Sequence, residues 1–230
     1  MLKAVVLDFD GVIVNSEPLH FRSFQHVVRE LGLDLTWQQY VQKYIGYDNR
    51  DLFGTFLADA GRADLLEDEH RLAELCQRKG DAFEAAVEQG VPTTPGLAVF
   101  VDEVSANMPI AIASGASRRD IDLVLTRLGW LERFGVIVSA DDVSRSKPDP
   151  ETYRLAFEAL ARQNSGLGLR PSDCLAIEDT GAGIVSARGA GMMVLGLTHW
   201  SSADALQGAH HIAANFDNLT LSQLQQWFDD

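Results

Sequence analysis

The sequence predicts an α/β protein, a doubly wound parallel sheet with an inserted α-helical domain. Short apolar runs alternate with segments of helical periodicity from residue 96 onward, which is typical of such a sheet. A second observation is a long stretch of helical patterns without a strand before residue 92. The third is an apolar run at the start of the chain that ends in acidic residues. We therefore expect a sheet domain interrupted by a helical bundle.

The opening run, Ala4 to Leu7, predicts a strand buried on both faces. It is followed by Asp8 and Asp10, which point to the same side because side chains two apart on a strand share a face. Gly11 allows a sharp turn at this point. In open α/β sheets, ligands bind at the carboxyl ends of the strands, so this pair is a candidate cation site. The alternative is a strand that ends in a solvated acidic turn.

The segment after this strand carries apolar residues at helical spacing. Thr36 is a candidate N-cap within it, and Gly32 a candidate helix end. Polar residues at 15–16 and a Pro/Gly-rich run at 91–96 delimit the segment. We predict a core domain of residues 1–15 and 93–230 and a helical domain of residues 16–92. The predicted helices of the helical domain cover 17–33, 38–45, a third starting at 48, and 65–88.

The remainder of the chain alternates helix and strand and ends in a polar tail. The tail is expected to add a short strand near Ile212 and a terminal helix. The predicted helices cover 97–105, 118–128, 150–162 and 182–190, and the predicted strands cover 109–113, 136–139, 174–177 and 193–197.

Composition narrows the classes of function. A hydrophobic fraction of 46% and a mean hydropathy of −0.04 are typical of a globular protein. A formal charge of −14 argues against nucleic acid or an anionic membrane as partner, since both need a basic surface. The apolar runs are too short to span a bilayer, and Cys76 and Cys174 show no disulfide or zinc spacing. We expect a cytoplasmic monomer.

A second candidate site segment follows the strand at 109–113. Ser114, Gly115 and Ala116 lie between this strand and a helix that opens at Arg118. A hydroxyl and backbone N–H groups at a helix start can cradle a phosphoryl oxygen. Ser117 is a candidate N-cap of the same helix, and both roles can hold at once.

Lys147 lies in a rigid turn, because Pro148 and Pro150 fix the backbone around it and start the next helix. Its ammonium is therefore placed by stiff backbone, whereas a solvated surface lysine is the alternative. The strand at 174–177 ends in Glu178 and Asp179, which repeats the opening pattern of a strand that ends in paired acids. For Asp179 the alternative is a helix N-cap.

The segment Asp8-Phe9-Asp10-Gly11-Val12 resembles the first motif of the haloacid dehalogenase-like phosphatases and phosphomutases. The segment 15–20 is similar to the hinge of the β-phosphoglucomutase-like and CbbY-like branch. Ser114 and Lys147 match the second and third motifs of the family, and the 178–179 acids match the fourth. The resemblance implies a Rossmann-like core with a helical cap, and it covers essentially the whole chain.

This resemblance implies an enzyme that uses Mg²⁺ and acts on a small phosphorylated metabolite, a sugar or polyol phosphate. Asp8 would be the nucleophile that forms an aspartyl-phosphate, and Asp10 the general acid and base. Lys147 would neutralise the acids and the phosphoryl group. The implied metal ligands are Asp8, the backbone carbonyl of Asp10, and Asp179, with Glu178 either a direct ligand or an acid acting through neighbouring groups.

Cap residues are expected to select the substrate and exclude water after domain closure. The resemblance places His20, Gly46, Asn49 and Arg50 in this role. His20 is otherwise a polar residue of its helix face, and Arg50 an exposed helix charge. The chain departs from the β-phosphoglucomutases at the turn after residue 43, where Tyr44 and Ile45 replace an expected lysine.

The sequence is compatible with three functions. The first is a phosphatase, in which water accepts the phosphoryl group. The second is a β-phosphoglucomutase, in which a bound sugar phosphate accepts it, and the missing lysine weakens this reading. The third is a non-catalytic phospho-acceptor module, since receiver domains also pair acids and a lysine on a doubly wound sheet. Those modules lack the inserted helices and the Asp-x-Asp step.

Overall fold

The computed structural model describes residues 1–44, 47, 49–66, 69–199 and 201–229. It confirms the predicted α/β class with a six-stranded sheet whose paired strands are all parallel, in the order β3-β2-β1-β4-β5-β6. Among the helices of the described ranges, none is both long and apolar enough to cross a membrane. The strands are β1 (Ala4–Leu7), β2 (Ile110–Ala113), β3 (Val136–Val138), β4 (Cys174–Glu178), β5 (Met193–Leu197) and β6 (His211–Ala213).

The register of the central strands determines where the site forms. Leu7 at the end of β1 pairs with Ile112 of β2 on one side and with Ile177 of β4 on the other. All residues of these three strands are buried, as expected for a sheet covered on both faces. The residues that follow β1, β2 and β4 therefore leave the sheet at the same edge.

The helices agree with the predicted bounds to within two residues, except at two ends. The first helix ends at Glu30, three residues early, because the chain turns at Gly32 in the left-handed conformation (φ +76°). The fourth begins at Glu69, and a separate 3₁₀ turn covers Ala63–Leu66. The helices are α1 (Glu17–Glu30), α2 (Trp37–Lys43), α3 (Asn49–Asp59), α4 (Glu69–Glu88), α5 (Leu97–Asn107), α6 (Arg118–Leu128), α7 (Glu151–Gln163), α8 (Gly181–Gly189) and α9 (Leu221–Gln226).

Contacts divide the chain into two compact units, the sheet unit (Met1–Asn15 and Pro92–Asp230) and the helical unit (Ser16–Val91). The helical unit contains α1 to α4, and α1 packs along α4. Its core is a buried aromatic and aliphatic cluster, while one core of the sheet unit lies between the sheet and the helices α7 and α8. The buried core residues of the helical unit include Phe24, Val27, Val28, Leu52, Phe53, Leu57 and Leu75.

Polar caps fix the helix starts. Thr36 accepts a hydrogen bond from the Gln39 N–H, and the Gln39 side chain accepts one from the Thr36 N–H. Ser117 similarly accepts from the Asp120 N–H at the start of α6, which is the capping role expected for it. These bonds satisfy N–H groups that have no partner inside the helix.

Candidate active site

The carboxyl end of β1 places Asp8 in a buried position next to Gly11. Asp8 is only 6% exposed, and its backbone N–H still donates to Ile177 O of β4. Gly11 has φ +78°, and a Cβ built on it would overlap the carboxylate of Asp179. Glycine is therefore required here both for the backbone conformation and for the close approach of Asp179.

Lys147 connects the acids that follow β1 and β4. Its ammonium nitrogen Nζ lies 2.8 Å from Asp8 Oδ1 and 2.6 Å from Glu178 Oε1, and its side chain is 12% exposed. The turn that carries it is held by the Ser186 hydroxyl, which donates to Asp149 O at 2.6 Å. The structure therefore brings the predicted lysine to the predicted acids and fixes it there.

Glu178 is fully buried, and its carboxylate accepts five hydrogen bonds. Oε1 accepts from Lys147 Nζ and from the Tyr153 hydroxyl. Oε2 accepts from the Asp179 N–H and from the Thr180 N–H and hydroxyl. A carboxylate offers about four lone-pair sites, so these donors occupy them all.

Asp179 differs from Glu178 in its surroundings. It is 7% exposed, and its buried Oδ1 has no hydrogen-bond partner among the described residues. One oxygen from each of Asp8, Glu178 and Asp179 can be chosen so that all three lie within 4.8 Å of one another. An unsatisfied buried carboxylate oxygen is costly unless a cation or a donor reaches it, so this arrangement fits a divalent cation.

The protonation equilibria show that the acids outnumber the positive charge. Burial and the nearby Glu178 raise the pKa of Asp8 above its usual value and the pKa of Asp179 to about 7. Burial alone would lower the pKa of Lys147, but Asp8 and Glu178 outweigh it and hold that pKa above its usual value. Lys147 is therefore an ammonium ion, and the cluster requires further positive charge before every carboxylate ionises at neutral pH.

Ser114 lies at the carboxyl end of β2, and it is 1% exposed. Its Oγ accepts a hydrogen bond from the Ala116 N–H at 2.9 Å. As an acceptor in that bond, the hydroxyl retains its own proton to donate to a ligand oxygen.

The helical unit contains a second polar cluster, formed by His20, Asn49 and Lys79. Lys79 is 4% exposed; its Nζ donates to Asn49 Oδ1 at 2.7 Å and lies 3.3 Å from His20 Nδ1. The His20 ring stacks on Phe83 with a centroid separation of 4.2 Å. Burial and the Lys79 charge lower the pKa of His20 to about 3, so this imidazole is neutral.

Comparison with known proteins identifies the chain. Residues 5–197 match the model of the haloacid dehalogenase-like hydrolases. The chain belongs to this family. It is 30% identical to validoxylamine A 7'-phosphate phosphatase of Streptomyces hygroscopicus subsp. limoneus, over 91% of this chain and 92% of that protein. It is also 26% identical to the β-phosphoglucomutase of Bacillus subtilis (strain 168), over 98% and 96% of the two chains.

A solved structure gives the same result. CbbY of Rhodobacter sphaeroides, crystallised with phosphate, superposes with a TM-score of 0.80 at 26% identity, covering 98% of this chain and all of that one. The predicted resemblance to the β-phosphoglucomutase-like and CbbY-like branch is thereby confirmed, and this haloacid dehalogenase-like hydrolase is an enzyme, as predicted.

Two residues of the hydrolase were not singled out from its sequence. Lys79 lies four residues after Leu75 and four before Phe83, on the buried side of α4. A lysine at an apolar position of a helix was the available signal. The other residue is Tyr153. The sequence contains no comparable signal for it, because an aromatic residue at a core position of a helix such as α7 is common.

The remaining cap predictions have different outcomes. Arg50 is exposed on α3, and Asn49 is half-buried against Lys79. Gly46 lies outside the described residues, as does Ile45. Tyr44 is buried, and its hydroxyl donates to Asp59 Oδ2 at 2.8 Å.

Proposed function

We propose that this enzyme is a Mg²⁺-dependent phosphatase that hydrolyses a sugar or polyol phosphate through an aspartyl-phosphate at Asp8. The observation that carries the proposal is the geometry at the sheet edge. A buried aspartate is held by Lys147, and two further acids, Glu178 and Asp179, lie at the end of the neighbouring strand β4. A sheet does not need these residue types at its strand ends for folding, whereas transfer of a phosphoryl group uses a positioned nucleophile, a cationic side chain and metal-binding acids.

The proposed metal ligands are Asp8, Asp179 and the backbone carbonyl of Asp10. Supporting this choice, Asp179 Oδ1 is buried and unsatisfied among the described residues, and the donors are hard oxygen atoms, which Mg²⁺ prefers. When bound, the metal supplies positive charge against the phosphoryl oxygens and the acids. Glu178 is proposed to act through its neighbours, because protein donors already occupy its carboxylate.

The residues of this chain would have the following roles in the reaction. An Asp8 carboxylate oxygen attacks phosphorus, and the bond from phosphorus to the sugar oxygen breaks. Asp10 gives a proton to the departing sugar oxygen. A water molecule then attacks the phosphorus of the aspartyl-phosphate and gives its proton to Asp10, which releases phosphate and restores Asp8. Lys147 and the Ser114 hydroxyl donate to phosphoryl oxygens in both steps.

The polar cluster of the helical unit is proposed to act as a cap element that contributes to substrate selection. A buried ammonium together with a neutral imidazole and an amide offers donors of the kind that recognise sugar hydroxyl or phosphate oxygens. The names of the two curated relatives, a phosphatase of a phosphorylated sugar-like compound and a β-phosphoglucomutase, support a sugar phosphate as substrate.

A screen of phosphorylated metabolites with Mg²⁺, scored by released inorganic phosphate, tests the proposal. We expect turnover of at least one sugar or polyol phosphate and no turnover after Asp8→Asn. The mutase reading is separated by incubation with β-glucose 1-phosphate and a trace of the corresponding bisphosphate. Formation of glucose 6-phosphate without matching free phosphate would contradict the hydrolase proposal and favour the mutase.

A further inference from the structure

We propose that Tyr153 is a positioning residue of the active site, whose hydroxyl holds Glu178 so that Lys147 stays directed at the nucleophile Asp8. The inference deepens the proposed function and rests on it for the role of Asp8. It concerns a side chain that is expected to touch neither the substrate nor the metal.

Tyr153 is in contact with both members of the central ion pair. It lies in the first turn and a half of α7 and is completely buried. Its hydroxyl donates to Glu178 Oε1 at 3.0 Å, the oxygen that also accepts from Lys147. The Lys147 ammonium lies 4.9 Å from the centroid of the Tyr153 ring, within the range of a cation–π contact.

Core packing alone does not account for a tyrosine at this position. A phenylalanine would fill nearly the same space, and a buried hydroxyl without a partner costs free energy. The hydroxyl of Tyr153 is instead used in a bond to a buried, charged carboxylate, and such charge-assisted bonds are stronger than neutral ones. The Tyr153 hydroxyl therefore supplies an additional hydrogen-bond donor to carboxylates that share a single ammonium group.

The position of Glu178 is restricted from the other side by Gly183. A Cβ on Gly183 would overlap the Glu178 carboxylate, so the first turn of α8 leaves room for that carboxylate only because residue 183 is glycine. The carboxylate is therefore fixed between α8 and the Tyr153 hydroxyl. Since Lys147 Nζ bridges this carboxylate and Asp8, fixing Glu178 also fixes the ammonium relative to the nucleophile.

The test is a double-mutant cycle of Tyr153→Phe and Glu178→Gln on the full chain with Mg²⁺. Tyr153→Phe keeps the ring and removes the hydroxyl. We expect kcat to fall about tenfold, corresponding to about 1.4 kcal/mol, with KM changed less than about threefold. In the Glu178→Gln background, Tyr153→Phe should change kcat less than about twofold, because the carboxylate that the Tyr153 hydroxyl holds has already been replaced.

Tyr44→Phe is the control, because it also removes a tyrosine hydroxyl that donates to a carboxylate, here through a partly buried bond in the helical unit. We expect both phenylalanine variants to lower the melting temperature by about 3–8 °C, and only Tyr153→Phe to lower kcat. Loss of kcat by the same factor in both Glu178 backgrounds, or a kcat of Tyr153→Phe within twofold of wild type, overturns the inference.

Failure of this inference can be distinguished from failure of the proposed function. If the wild-type chain releases no phosphate from any compound, the proposed function fails. The double-mutant cycle is then measured by thermal unfolding without metal or substrate. The double variant should have a smaller decrease in melting temperature than the sum of the decreases in the two single variants. Additive melting shifts would contradict the coupling of Tyr153 to Glu178.

Discussion

The sheet unit and the helical unit each contain a largely buried lysine, but the two lysines have different partners. Lys147 bridges the carboxylates of Asp8 and Glu178 at the end of the sheet. Lys79 contacts the Asn49 amide oxygen and the neutral ring of His20. The first lysine is outnumbered by acids, whereas the second lies beside a neutral imidazole and an amide and acts electrostatically on the Glu17 carboxylate.

This difference indicates which kind of ligand each cluster favours. At the sheet edge the raised pKa values of Asp8 and Asp179 show that a cation would relieve the crowding of acids. In the helical unit, burial and then the Lys79 charge lower the pKa of His20, so this cluster holds a neutral imidazole beside an ammonium. The sheet-edge cluster thus favours a cation, whereas the cluster of the helical unit offers hydrogen-bond donors.

Among the variants that test the difference between the two lysines, Lys147→Met should have the largest effect. It removes the cation between Asp8 and Glu178 and leaves buried carboxylates without compensation. We expect kcat to fall at least about 10²-fold, since charge stabilisation by one preorganised group has that order of effect. In metal-free buffer the free energy of unfolding should fall by roughly 3–5 kcal/mol, the usual cost of removing one partner of a buried ion pair. Steady-state kinetics and urea unfolding measure the two effects, and unchanged values of both would refute the assigned role.

Gly11→Ala tests whether the acid cluster depends on its close packing. The new methyl group would overlap the Asp179 carboxylate, so Asp179 must move away from residue 11. We expect roughly tenfold or greater loss of both kcat/KM and Mg²⁺ affinity by titration calorimetry. The matched control is Gly32→Ala in the helical unit, which has a similar φ of +76° but open space around its Cα.

Both alanine variants should lose about 1–2 kcal/mol of stability from the left-handed backbone. Only Gly11→Ala should lose Mg²⁺ affinity. Equal Mg²⁺ affinity in the two variants would show that the approach of Asp179 to residue 11 is unimportant for the site.

Lys79→Met probes the second cluster and should act on binding. We expect KM for the best substrate to rise about tenfold while kcat changes less than about threefold, since a lost contact to the non-reacting part of a substrate weakens binding. Stability should fall by about 1–2 kcal/mol, because Asn49 Oδ1 loses its donor and the Glu17 carboxylate loses a nearby positive charge. A kcat loss as large as that of Lys147→Met would remove the distinction between the two lysines.

The same substitution has a spectroscopic consequence for His20. The Lys79 charge is one of the two causes that lower the pKa of this imidazole, the larger being burial. The pKa of His20 should therefore rise in Lys79→Met, which a proton NMR titration of the ring measures. An unchanged value would show that burial alone is responsible.

Mg²⁺ affinity should depend on pH through the sheet-edge acids. Because the pKa of Asp179 is about 7 without metal, binding of the cation must displace a proton below that pH. We expect affinity to weaken up to about tenfold per pH unit below 7 in calorimetric titrations. His20, with a pKa of about 3, does not titrate in this window. Affinity independent of pH between about 5 and 8 would contradict the raised pKa of Asp179.

Stability of the metal-free protein should follow the same titration. The folded state binds the Asp179 proton more tightly than the unfolded chain, whose ordinary value is 3.8. This contribution is therefore fully present below about pH 4 and is lost as pH rises toward 7. Thermal melts with a chelator, repeated with Mg²⁺, should show the metal restoring stability at the higher pH.

Much of the sheet unit could be predicted because its chemistry follows strand ends. The apolar runs before Asp8, Ser114 and Glu178 indicate strands, and parallel strands bring their carboxyl ends to one edge. The helix Arg118–Leu128 and the strand Met193–Leu197 were predicted with their observed bounds. The ends of α1 and α4 were predicted less well, since apolar residues continue past the hydrogen-bonded turns.

The remaining site features depend on distances that periodicity does not encode. Tyr153 reads as an ordinary core residue of a helix, and only the three-dimensional structure shows its hydroxyl at Glu178 Oε1. Lys79 reads as one more charged residue between Arg78 and Gly80 until the helical spacing places it on the apolar side. The saturation of Glu178 by five donors likewise cannot be deduced from its position after a strand.

The central claim is that Asp8 becomes phosphorylated during turnover. The most direct measurement mixes the enzyme with Mg²⁺ and its best substrate, quenches in acid within the first turnover, and maps the phosphorylated peptide by mass spectrometry. We expect a transient phosphoryl group on Asp8 that forms and decays at rates no slower than kcat, and none in Asp8→Asn. Full turnover by Asp8→Asn, or a phosphoryl group on another residue, would contradict it.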